Sequence, residues 1–276
     1  MKLNMFSYQK LDSPIHRLTG LTKLLGFLLI SLAVMFSYDI RYVSFVFIFS
    51  ILVFKMAKLK LSDVKIILLY VIVFIIVNMI FTYIFAPEYG VEIFGTRNEL
   101  FTIYGRYTMT KEQILYMTTK AIKYIAVIPI GIVFFFTTNP SEFASSLNRI
   151  GVPSKAAYAV GLTLRYFPDI QRDYTEISLS QQARGLELSS KSKFLDRVKN
   201  YLLIIIPLIF SSIDRVETIG NAMDLRGFGK HKKRTWYTKE NLKKADYISL
   251  FISILVTVLG FYMIYQNGSR FYNIFI

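Results

Sequence analysis

Long uncharged apolar runs, rather than alternating or helical stripes, dominate the first half of the chain and its end. The clearest covers residues 66–86, 21 positions without a charge. As a helix it rises about 31 Å, the thickness of a bilayer's hydrocarbon core. Residues 21–38 form another, entered through Lys23, whose aliphatic stem lets the ammonium reach the interface. Residues 42–55 follow after Asp39-Ile40-Arg41, a connection short enough to predict a helical hairpin. A further run spans 121–138, with Lys123 near its entrance and Pro129 as a kink, and the last covers 247–265. The pattern predicts five transmembrane helices, four within 1–138 and one within 246–276. No small-residue cleavage site follows the first run, so it reads as a span and not as a removable signal peptide.

Between 139 and 245 the pattern changes to helical periodicity. Leu164, Phe167, Ile170, Tyr174 and Ile177 make one apolar stripe, with charged residues on the remaining surface. It closes at Ala183-Arg184-Gly185, where Gly185 stands at the position of a C-terminal cap. A second stripe runs from Leu195 through Val198, Leu202, Ile205, Ile209, Ile213, Val216 and Ile219 to Met223, and closes at Leu225-Arg226-Gly227. Each helix carries a proline, Pro168 or Pro207, 16 to 19 residues before its Arg. The apolar stretch 202–210 lies inside the second stripe and predicts a helix along the membrane or against the spans. A sixth span there is the competing assignment. One Arg at a helix end needs no partner, because the helix dipole already favours it. Two long amphipathic helices with the same ending point further: a guanidinium held at a helix tip suits a carboxylate-lined groove on another protein.

Composition supports the membrane reading. Hydrophobic residues make up 54% of 276, with 24 Phe and 19 Tyr, and charged residues only 18%. That excludes a disordered chain and disfavours a compact soluble one. Basic residues nevertheless outnumber acidic ones 33 to 18, and their placement orients the spans. Residues 1–20 have three basic against one acidic, 55–65 four against one, and 139–245 eighteen against ten. Asp39 and Arg41 cancel, 87–113 has three basic against four acidic, and the tail after 265 has Arg270 alone. The positive-inside rule then puts the N-terminus and 139–245 in the cytoplasm of a multi-pass cell-membrane protein, and 87–113 outside.

The chemistry available is sparse. Without cysteine there is no disulfide and no thiolate nucleophile, and two His make a zinc site improbable. Gly229-Lys230 is the nearest approach to a phosphate-binding loop, but His231 follows the Lys where Ser or Thr is required. No serine, histidine and carboxylate group into a triad, and no charge marks the midpoint of a span. The basic run 230–234 reads as an anchor to anionic lipid, not as a nucleic-acid site. The expected chain therefore holds no metal or cofactor and catalyses nothing. The rival reading is a membrane-embedded enzyme acting on lipid phosphates, with Arg184 and Arg226 on the headgroup.

Several motifs occur in the order found in the transmembrane T component of energy-coupling factor transporters, and the chain resembles that family over most of its length. Ser13-Pro14-Ile15-His16-Arg17-Leu18 with Thr22-Lys23-Leu24 is similar to its lead into the first span. Leu164-Arg165-Tyr166-Phe167-Pro168 through Gln182-Ala183-Arg184-Gly185 resembles its first long coupling helix. Ile206-Pro207-Leu208, Ala222-Met223-Asp224-Leu225-Arg226-Gly227-Phe228 and Arg234-Thr235 resemble the second, with Leu225 where Ala is commoner. The resemblance implies an all-α integral membrane protein of about five transmembrane helices plus long amphipathic cytoplasmic coupling helices. It implies a non-catalytic subunit of an ABC-type uptake system for a vitamin or metal ion. Two ATPase subunits, which bind the ATP, would dock at Ala183, Arg184, Gly185, Leu225, Arg226 and Gly227, while the helices and spans hold a small substrate-binding membrane protein. The segment 87–113 is long for the family and has no reading.

Overall fold

The computed structural model describes residues 11–104, 107–187, 194–230, 235–236 and 239–274. The basic run from His231 to Arg234, and the first ten residues with Lys2 and Lys10, lie outside the described residues. The chain divides into two compact units, Met1–Asn139 with Glu240–Ile276, and Pro140–Lys239.

The first unit contains α1 (Gly20–Phe36), α2 (Ile40–Met56), α3 (Leu61–Phe85), α4 (Tyr89–Phe94), β1 (Glu99–Tyr104), β2 (Tyr107–Thr110), α5 (Lys111–Thr137) and α9 (Lys244–Gln266). Among the described residues, α3, α5 and α9 are long and apolar enough to cross a membrane, and α1 is an apolar helix of 17 residues. α3 is hydrophobic all round and buries only Val64 and Ile75, the behaviour of a helix whose solvent is lipid. α5 starts ten residues before the predicted run, because the Thr110 hydroxyl accepts a hydrogen bond from the Gln113 amide at 3.2 Å and caps it. Lys123 therefore lies midway along α5 and not near its entrance. The ammonium donates to the Met35 carbonyl at 2.6 Å and stands 3.5 Å over the Tyr38 ring, which satisfies the charge internally.

The core gathers Ile30, Val34, Tyr42, Val43, Val46, Ala126, Ile130 and Val256 from four helices. Tyr42 is fully buried and donates to the Val256 carbonyl at 3.2 Å. α9 has room for that ring because residue 260 is glycine: a Cβ there would come within 2.6 Å of it. Small residues are how membrane helices approach closely when no hydrophobic effect drives them together.

Polar clamps tie the two ends of α9 to α1 and α2. At one end the buried Asp246 carboxylate accepts from the Thr19 and Lys243 amides, both at 2.8 Å. Lys23 donates to the Thr137 carbonyl nearby at 2.7 Å, and Leu11, Ile15, Leu59 and Val64 close the apolar cluster around Phe136. At the other end Asp39 accepts from Arg41 and Asn267, and the Tyr38 amide donates to the Arg270 carbonyl at 2.8 Å. Burial alone pushes the Asp39 carboxyl up. The hydrogen bonds from Arg41 and Asn267 outweigh that and hold it below the ordinary carboxylate value. α1 and α9 therefore run in the same direction, with α2 and α5 opposed.

The segment without a sequence reading folds at this second end. α4 leads into an antiparallel β1–β2 hairpin, a small exception to the all-helical expectation. Glu112, fully buried, holds it by accepting from Thr96 Oγ1 at 3.0 Å and from the Asn98 amide and side chain at 3.1 and 2.7 Å. Phe94, Leu115 and Tyr116 pack there with Tyr38 and Phe271. The Asp39–Arg41 turn, segment 87–113 and the tail thus share one end of the unit, and the basic segment 55–65 shares the other with residues 11–20, where Asp12 and Arg17 cancel. Cysteines introduced at Leu61 and Leu100, both exposed, test the orientation with a membrane-impermeant maleimide. Leu61→Cys is expected to label only from the cytoplasmic face and Leu100→Cys only from outside. Labelling of both from one face would contradict the charge argument.

Candidate partner-docking site

The second unit is built from α6 (Pro140–Arg149), α7 (Ser154–Ala183) and α8 (Phe194–Leu225). α6 was not legible as a separate element in the sequence. It packs on the start of α7 so closely that a Cβ on Gly161 would lie 2.7 Å from that of Ala144. α7 and α8 keep their internal prolines, and α8 carries too much charge to be among the helices apolar enough to cross a membrane. That weighs against the sixth span. Asp173 of α7 and Arg215 of α8 form an ion pair with both side chains mostly shielded, and Gln181 donates to the Leu203 carbonyl at 3.4 Å. These polar links pin the two helices to each other. A half-shielded pair fixes geometry more than it adds stability.

The apolar stripes are left uncovered within this unit. Phe167, Ile170 and Tyr174 on α7 and Leu202, Ile206, Ile209, Phe210, Ile213 and Val216 on α8 are all exposed. Contiguous apolar surface on this scale marks contact with lipid or another protein.

Both helices end in the same hydrogen-bonded cap. At α7 the Leu186 amide reaches the Gln181 carbonyl and the Gly185 amide the Gln182 carbonyl, each at 3.0 Å. At α8 the Phe228 amide reaches Met223 and the Gly227 amide Asp224, each at 2.9 Å. These are complete Schellman motifs, and they require a left-handed residue just past the helix. Gly185 at φ +90° and Gly227 at φ +66° supply it. The residue before each glycine is Arg184 or Arg226, so each guanidinium leaves from the last turn, where the carbonyl ends of the helix dipole favour it. Both arginines are exposed. Beside them Ala183 is exposed and Leu225 is 90% exposed, a large apolar side chain presented without cover.

The two tips do not make one site. Arg226 lines a groove of about 1100 Å³ with residues of α6, α7 and the chain beyond α8, whereas Arg184 stands outside it. Sequence reading missed this groove, because it is assembled from segments some seventy positions apart. It also missed the Asp173–Arg215 pair, whose signal was two opposite charges on the polar edges of two stripes. Among the described residues, no three His, Asp or Glu side chains gather into a group able to hold a metal.

Comparison with known proteins adds the family. The CbiQ family model, described as cobalt transport protein, matches residues 12–237. An energy-coupling factor transporter transmembrane protein of Staphylococcus aureus is 25% identical over 96% of this chain and 98% of its own length. Proteins of the same description are 26% identical in Macrococcus caseolyticus, over 79% and 89% of the two chains, and 24% identical in Streptococcus thermophilus, over 91% and 95%.

The caps predict a local outcome. Valine is strained by about 1–3 kcal/mol in the left-handed region, so Gly185→Val or Gly227→Val frays the adjacent last turn. Hydrogen exchange at the Leu186 or Phe228 amide is expected to quicken about tenfold or more with membrane insertion unchanged. Unaltered protection would show that these turns do not need glycine.

Proposed function

The chain belongs to the family of cobalt transport proteins matched over residues 12–237, and from that premise we propose how its two helix tips serve transport. It is the transmembrane component of an energy-coupling factor transporter, and its role is not enzymatic. The membrane-enzyme alternative has no support. Within that complex, Arg184 and Arg226, each flanked by its Ala183 or Leu225 and its capping Gly185 or Gly227, are the docks for two ATPase subunits. The ATPases bind and hydrolyse the ATP, and this chain holds no cofactor.

A separate small membrane protein captures the vitamin or metal ion and rests on the exposed apolar faces of α7 and α8 and on the spans. The N-terminus and the tips lie on the cytoplasmic side of the cell membrane. When the ATPases close, the tips move with them, and the Asp173–Arg215 link makes α7 and α8 respond together. The observation that carries this reading is the repeated cap: two helices end in the same Schellman motif with an exposed arginine at the same place in each.

Linked docks bind more tightly than either alone, so one remaining tip holds a weakened complex. Arg184→Ala or Arg226→Ala is expected to lower the ATPase copurifying with the chain several-fold, and the double substitution to release it. Lysine at these positions restores little if the guanidinium grips a carboxylate with two parallel hydrogen bonds. Full ATPase retention by the double alanine variant would remove both arginines from the mechanism.

A further inference from the structure

The motif Leu164-Arg165-Tyr166 at mid-α7 has no part in the docking of the tips as stated above. Its Arg165 and Tyr166 line a groove of the second unit. Arg165 lines the same groove as Arg226, and Lys155, at the start of α7, lines it too. One wall is aromatic: Tyr158 packs against Phe228 with ring centroids 4.7 Å apart and against Trp236 at 6.5 Å. The Trp236 indole is fixed by donating to Asn148 Oδ1 at 3.0 Å. The left-handed Gly229, at φ +87°, lets the chain beyond α8 pass over Lys155, since a Cβ there would sit 3.0 Å from its side chain.

Charge distinguishes this surface. Among the described residues the groove has three cationic side chains on its lining and no acidic one, and none of the three cations has a hydrogen-bond or ion-pair partner. Three exposed like charges on the lining of one concave surface make it electropositive and attractive to an anionic group. Neither their own helices nor the aromatic wall supplies one.

We propose that this groove receives an acidic segment of the ATPase that docks at the α8 tip, with Lys155 and Arg165 gripping carboxylates alongside Arg226. The proposal rests on the ATPase-docking reading and extends it. The α8 tip is then a receptor with depth, whereas Arg184 at the α7 tip is not among that groove's lining residues. The two ATPase positions are unequal in consequence.

A water-soluble carbodiimide joins a lysine amine to a carboxylate only where the two touch, so it reads this contact directly in the intact complex. Treatment of the chain purified with its ATPases is expected to link Lys155 to an Asp or Glu of an ATPase subunit. Lys155→Arg keeps the charge, so the complex forms but that link is lost. A second reading uses Arg184→Ala, which leaves the groove as the sole dock. There Arg165→Gln is expected to cut retained ATPase about thirtyfold or more, as removal of one partner from a desolvated ion pair does, with Arg165→Lys restoring most of it. Unchanged retention in that background, or a complex that keeps its ATPases while Lys155 links to none of them, would overturn the proposal. Neither result would touch the docking reading, which falls only if ATPases stay bound when both Arg184 and Arg226 are alanine.

Discussion

The last turn of an α-helix leaves carbonyls without partners, and a helix that must present a side chain to another protein cannot let that turn fray. At α7 and α8 the chain closes the turn in the same way. A glycine in the left-handed region folds the backbone back so that two amides reach the orphaned carbonyls. The arginine just before it is then held by a fixed backbone, while its side chain stays in solvent. The position and direction of the arginine both follow from that one backbone reversal. Without it the exposed Leu225 and the two guanidiniums would sit on mobile ends.

A rigid tip is useful only if its motion goes somewhere. Asp173 and Arg215 join α7 to α8 well back from the tips, and Gln181 adds a second link to the Leu203 carbonyl. On the proposed reading, these links would share displacement at either end along both helices. Their uncovered apolar faces are the surfaces on which, in the proposed function, that motion would act on the substrate-capture protein or on lipid. In the membrane unit the opposite quality is built in. Asp246 and Asp39 clamp the two ends of α9, and the Tyr42 ring fills the notch left by Gly260, so α1, α2, α5 and α9 hold as one frame.

What could be read from the sequence was whatever local pattern decides. Uncharged runs located the apolar helices, because lipid imposes length and composition on any single segment. The two Arg-Gly endings were legible for the same reason, since a Schellman cap is made within six consecutive residues. The start of α5 was encoded locally as well, by Thr110 and Gln113, but charge at Lys111, Glu112, Lys120 and Lys123 interrupted the apolar run and hid it. Other features depend on distant partners. Glu112 organises the outer hairpin through Thr96 and Asn98, α6 is recognisable by the close approach of Ala144 to Gly161, and the groove beside Arg226 joins Asn148 to Trp236. No periodicity announces such pairings. Charge could still be summed over whole segments, and it sorted the ends of the membrane unit in the way the folded chain groups them.

If ATPases move the two tips while α7 and α8 respond together, the motion can be read between the tips. Because the chain lacks cysteine, spin labels can be placed on Gln182→Cys and Asp224→Cys, each two residues before its Arg, and the distance between them measured by double electron–electron resonance in the assembled complex. The distance distribution is expected to shift between the nucleotide-free complex and one trapped with ATP, and nucleotide and ATPases added to the Arg184→Ala, Arg226→Ala chain, which does not retain them, are expected to leave it unchanged. A distance that stays the same in both nucleotide states, in a complex that hydrolyses ATP and transports, would contradict that motion.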